Sequence, residues 1–121
     1  MQFSGGVNRI FLVGEVAGDV QQKIVDDVEV LCFFLATTEV FQKNGRRHEH
    51  IEMHDVKLPI GVKKNTDVNR GDLLFIQGKL KTHQVIEDNH SKNYKAEIWV
   101  IHLESLKSAQ FDAAHRPFEM P

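Results

Sequence analysis

Three of the chain's seven histidines, His48, His50 and His54, fall within seven residues of one another. On a strand they would share one face with Glu52, because side chains alternate. A His-x-His pair on a strand can chelate zinc. Yet His48 and His54 would stand about 20 Å apart at ~3.3 Å per residue, too far to hold one ion. The spacing is not His-Glu-x-x-His, which needs a helix. His50-Ile51-Glu52 mimics a deaminase His-x-Glu, but its partner Pro-Cys-x-x-Cys is missing. Cys32 is the only cysteine, so a thiolate zinc cage within one chain and an internal disulfide are both excluded. No Ser-His-Asp order, P-loop or Gly-x-Gly-x-x-Gly is present. Neither enzyme activity nor a metal or cofactor is expected.

A second chemistry has more residues behind it. Lys43, Arg46 and Arg47 crowd around Asn44-Gly45, and Lys79 and Lys81 share a strand face by parity. Arg9, Lys57, Lys92 and Lys95 are further cations. Phe41, Tyr94, Trp99 and Phe75 supply flat faces. A positive groove plus stacking platforms is what sequence-tolerant binding of single-stranded nucleic acid needs, each stacked base contributing about 1–3 kcal/mol. The formal net charge is −2, against the basic balance common in phosphate binders. Local clustering matters more, since a ligand feels charge only within about 8 Å at physiological salt.

The elements that would carry these residues are strands. With 121 residues and 41% hydrophobic content, the chain has material for one core. No apolar run approaches the ~18–20 residues of a membrane helix. The opening Met-Gln-Phe-Ser-Gly-Gly has no basic or apolar leader region, so a secretory signal is not expected. Alternation and β-branched content predict strands over Asn8–Val16, Val28–Val40, His48–Leu58, Asp72–Thr82 and Tyr94–Leu103. Gly14 reads as a bulge or bend. Ala17-Gly18-Asp19 reads as a turn with Gly18 at positive φ, and residues 42–47 as a loop around Asn-Gly. Pro59 ends the third strand. Gly61 to Asn69 supports at most a short helix or turn, and Glu87 to Asn93 reads as a hairpin loop. In the third strand Ile51, Met53, Asp55 and Lys57 oppose His50, Glu52, His54, Val56 and Leu58. Phe11, Phe33, Phe34 and Phe75 read as core, as does Cys32. Trp99 alternates with Glu97, Ile101 and Leu103 and leans to the core. Five strands with a degenerate helix between the third and fourth is the all-β, five-stranded OB-fold barrel. Residues 1–106 make that domain, and 107–121 a polar tail expected to be mobile.

Five strings, in order, resemble the bacterial and mitochondrial single-stranded-DNA-binding (SSB) family: Val7-Asn8-Arg9-Ile10-Phe11-Leu12-Val13-Gly14; Phe34-Leu35-Ala36-Thr37-Thr38-Glu39; Glu52-Met53-His54-Asp55-Val56; residues 69–82, Asn-Arg-Gly-Asp through Gly-Lys-Leu-Lys-Thr; and Tyr94-Lys95-Ala96-Glu97-Ile98. The resemblance spans about residues 7–104. It implies an OB-fold, binding of single-stranded DNA in replication and maintenance, and assembly as a homotetramer or homodimer. Phe41 stands at a family stacking position and Arg46 and Arg47 on a family binding loop. Together with the clustered cations and the flat or polarizable side chains, this gives the expected nucleic-acid-binding set Phe41, Lys43, Arg46, Arg47, Met53, Lys79, Lys81 and Tyr94. His54 is placed near a subunit contact. The chain departs from the family in carrying Met53 and Val85 where tryptophans stand, and in ending Arg116-Pro117-Phe118-Glu119-Met120-Pro121 without the acidic tip. Those departures point to a mitochondrial location, with the bacterial cytoplasm or nucleoid as alternative. They also leave a second reading: an OB-fold scaffold subunit in an RNA-processing or editing-type complex, with other OB-fold subunits and RNA as partners. No membrane partner is expected.

Overall fold

Strong alternation, two tight turns and two bulges produce a barrel closed in the order β1-β2-β3-β5-β4. The computed structural model describes residues 5–62, 67–86 and 91–106. The strands are β1 (Ile10–Val25), β2 (Val28–Lys43), β3 (Arg46–Pro59), β4 (Leu73–Ile86) and β5 (Lys92–Ser105). A 3-10 turn, Ile60–Val62, follows β3 where the sequence suggested a degenerate helix. The expected tail, 107–121, lies outside the described residues, as does the loop tip at 87–90.

Every strand extends beyond its sequence-predicted end. β1 does not turn at Ala17-Gly18-Asp19. Gly18 does take positive φ (81°), but within a register shift between Ala17 and Gln21, after which pairing with β2 resumes. A bulge absorbs the extra residues and bends the strand without ending it. β1 then closes on β2 through Asp26-Asp27, both at positive φ (52° and 64°). The expected loop at 42–47 contracts to Asn44-Gly45, with φ of 53° and 75°, and Lys43 pairs directly with Arg46. Two residues suffice because a turn with both central φ positive matches the right-handed twist of the flanking strands.

Gly14 is not a bulge. It sits in regular register with Leu74 just before Glu15, the residue paired with both β4 and β2. A Cβ there would collide with the Ala36 carbonyl, so the close approach of β1 and β2 requires glycine. The side-chain amide of Asn8 imitates a strand, donating to the Leu80 carbonyl (2.9 Å) and accepting from the Leu80 N–H (3.0 Å).

The core inside the barrel is Val16, Leu31, Phe33, Leu35, Val56, Leu58, Val68, Leu74, Ile76, Ile98 and Val100. Of the phenylalanines expected there, only Phe33 is buried; Phe11 and Phe34 are exposed on the outer face. Phe75 is half-buried on that outer face, its ring 6.5 Å from Phe11. The reason is parity: Phe11 and Phe75 fall on odd positions of β1 and β4, whose inward residues are even. A second register shift, between Gln77 and Gly78 against β5, sets Trp99 and Leu103 on opposite faces despite their even spacing. Trp99 packs outside the barrel with Val30, Cys32 and Val25.

Candidate nucleic-acid interface

β3 and β5 pair in parallel at only two positions, Val56–Ile98 and Lys57–Trp99. Before those positions, among the described residues, β3 pairs with β2 alone and β5 with β4 alone. Two hairpin arms, β2–β3 and β4–β5, therefore leave the barrel on the same side. Phe41, Lys43, Arg46, Arg47, Met53, Lys81 and Tyr94 stand on these arms, and Lys79 stands at the junction opposite Trp99.

Directly opposed residues of an antiparallel pair share a face. Phe41 opposes His48 and Lys43 opposes Arg46, which sets these four on one face of the β2–β3 arm, continuous with the barrel interior. Met53 opposes Ala36 and Arg47 opposes Gln42, which sets Met53 and Arg47 on the other, outer face. The neighbouring arginines Arg46 and Arg47 thus point to opposite sides. Along β4, Lys79 at the junction and Lys81 on the second arm oppose Trp99 and Glu97 on the outer face, whereas Tyr94 opposes Gln84 on the inner one. The predicted set is not one cluster. It divides into an inner group, Phe41, Lys43, Arg46 and Tyr94, and an outer group, Met53, Arg47, Lys79 and Lys81.

The flat and soft side chains are open to contact: Phe41 is 45% exposed, Met53 50% and Tyr94 74%. The Phe41 ring lies 5.5 Å from His48 and nearly parallel to it. That stack holds Phe41 in place at an exposed strand end. Val40 and Ile51 are also exposed, beside Met53 on the outer face. The histidines that share the inner face are engaged separately. His50 Nε2 lies 2.9 Å from Glu52 Oε1, and His54 Nε2 lies 2.9 Å from Thr37 Oγ1. His54 is partly buried at the base of the arm.

The outer face holds a charge network that sequence reasoning missed. Lys57 is buried, and its ammonium donates to Asp55 Oδ1 at 2.6 Å and stands 3.7 Å from Glu97 Oε2. Lys95 approaches Asp55 (3.8 Å) and His83 approaches Glu97 (3.7 Å). Burial works to lower the Lys57 pKa. The hydrogen bond and charge of Asp55, with the charges of Cys32 and Glu97, outweigh it and leave the pKa raised. Lys57, one of the further cations the sequence offered, is thereby engaged within the fold. Alternation along β3 put Met53, Asp55 and Lys57 on one face. The β3–β5 contact that brings Glu97 and Trp99 beside them has no local signal.

A model of the single-strand binding protein family matches residues 7–106. A single-stranded DNA-binding protein of Bacteroides thetaiotaomicron is 30% identical over 106 residues, covering 83% of this chain and 66% of the relative. The chain thus spans slightly under two thirds of that relative's length. Among solved structures, a Plasmodium falciparum SSB complex with ssDNA superposes with a TM-score of 0.74 at 23% identity, over 87% of this chain and 99% of that one. A small single-stranded DNA-binding protein from Streptomyces coelicolor gives 0.63 at 19% identity, over 84% and 95%. At these identities the solved structures speak to the fold alone, and they agree on the barrel.

Proposed function

Because the chain belongs to the single-strand binding protein family, we propose that it binds single-stranded DNA with little sequence preference, in DNA replication and maintenance. The observation that carries this reading is the extent of the family match, which takes in the barrel and both hairpin arms. Phe41, Met53 and Tyr94 are the stacking or covering groups. Lys43, Arg46, Arg47, Lys79 and Lys81 are the phosphate partners. Since these residues occupy two faces, the strand passes around the free edge of β3 and does not lie in one groove. The relative at 30% identity is bacterial, which supports a bacterial cytoplasm over an organelle. Assembly into a homo-oligomer is supported by the outer apolar face of Phe11, Val13 and Phe75, with His54 at the base of the β2–β3 arm near a second contact.

The test is fluorescence anisotropy with labelled oligo-dT and oligo-U at two salt concentrations, with mass by light scattering on the same sample. Each neutralised phosphate contributes about −0.7 to the slope of log K against log salt on a single strand. Two phosphates alone give roughly a ten-fold loss of affinity between about 50 and 300 mM salt. Salt-sensitive binding of dT by an oligomer is the expected result. Salt-independent binding defeats the phosphate mechanism. No binding, by a smaller species, leaves the barrel as a protein-docking module.

A further inference from the structure

Trp99 is the only tryptophan in the chain, and it lies outside the barrel. It stands between Lys57 of β3 and Lys79 of β4, on the same outer face as Lys81 and Met53. The residue is only 7% exposed. It packs with Val30, Cys32 and Val25, and its indole N–H donates to Glu97 Oε1 at 3.1 Å. Lys81 Nζ lies over the ring, 4.2 Å from its centroid. Lys81 is itself an exposed side chain on a flexible stem.

An ammonium over a ring is an exchangeable cover. It is held by the ring quadrupole, and a phosphate attracts it more strongly than a ring does. A nucleobase presents a flat face that can stack on an uncovered indole, and base–aromatic stacking tolerates any base. The surrounding charge favours a polyanion: with Lys57 held by Asp55 and Glu97, Lys79, Lys81 and Lys95 remain as exposed cations, and Lys23 offsets Asp19 in the hollow beside Asp55. We propose that Trp99 is a base-stacking platform, covered by Lys81 in the free protein and exposed when Lys81 moves onto a phosphate of the bound strand. This rests on the single-strand reading above and adds a site to it.

The single tryptophan makes the test specific. The full chain is titrated with oligo-dT and with an abasic deoxyribose-phosphate oligomer of equal length, following Trp99 emission and the anisotropy of labelled strand together. The expected result is that dT quenches Trp99 about two-fold, in step with the anisotropy, while the abasic strand binds and leaves emission nearly unchanged. Lys81→Gln should raise acrylamide quenching of Trp99 in the free protein about two-fold and weaken dT binding, with dT still quenching Trp99 once the variant is saturated; unchanged acrylamide quenching would show that Lys81 is not the cover. Saturating dT binding with unchanged emission overturns the inference while leaving single-strand binding intact. Equal quenching by the abasic strand also overturns it, since a moved lysine without a stacked base would then explain the signal. Absence of any dT binding overturns both.

Discussion

Lys57 has 9% of its side chain exposed, on the outside of a barrel where lysines ordinarily stand in water. A buried ammonium persists only when paired and hydrogen-bonded, and Asp55 and Glu97 meet that need. Its folded pKa is raised above the ordinary 10.5. The stability this contributes is therefore fully present below pH 10.5 and is lost as pH rises through the folded value. Denaturant unfolding of the wild type should show an alkaline loss of stability that is shallower in Lys57→Met. At neutral pH the same variant should be less stable by up to about 3 kcal/mol, because removing one partner strands buried carboxylates. Lys95 and His83 soften that loss by remaining near Asp55 and Glu97. Equal neutral stability and superposable alkaline limbs would show that the network contributes nothing. At this scale the sequence supplied the residue type and the face, and offered Lys57 only as one further cation without its structural role. Burial of Lys57 depends on Trp99, 42 positions away in sequence and adjacent only through the β3–β5 contact.

The strands were legible because each carries alternation against one core, and their ends were not. Asn44-Gly45 announced itself, since both residue types tolerate positive φ. Asp26-Asp27 makes a turn of the same kind without a glycine, so the sequence left residues 20–27 unassigned and cut β1 short. Left-handed backbone costs an ordinary residue roughly 1–2 kcal/mol, and aspartate less. Asp27→Gly removes that strain, while glycine's extra unfolded-state freedom costs about 0.5–1 kcal/mol. The net expectation is a gain of about 0.5 kcal/mol, seen as a rise in Tm of about 2–4 °C. An unchanged or lower Tm would mean that Asp27 makes compensating contacts of its own. The two register shifts are the other part that could not be read. The one at Gly78 answers a local need, since a Cβ there would lie 2.6 Å from the Trp99 carbonyl. It also reverses the outward parity of β5, which is why Leu103 points inward and Trp99 outward.

For the whole molecule, the residues proposed to bind the strand were legible as residue types but not in their arrangement. Basic and aromatic residues are visible in any sequence; the face each one occupies follows from register. Phe41 opposes His48 and Met53 opposes Ala36, an odd offset along both strands, so they lie on opposite sides of one arm. A strand that contacts both must wrap that arm, and the two contacts are then independent. Phe41→Ala should weaken oligo-dT binding by about 1–3 kcal/mol without altering the salt slope, because stacking releases no counterions. Lys79→Gln should do the reverse, lowering the slope by about 0.7 with a modest change in affinity at high salt. Sites without shared partners add to within about 0.5 kcal/mol, so the Phe41→Ala and Met53→Ala losses should sum in the double variant. If Met53→Ala is silent while Phe41→Ala is not, the strand keeps to the inner face with Lys43, Arg46 and Tyr94. The outer cations would then serve the fold and not the ligand, and the negative net charge of the chain would be offset locally, by Lys43 and Arg46 on the inner face of the β2–β3 arm.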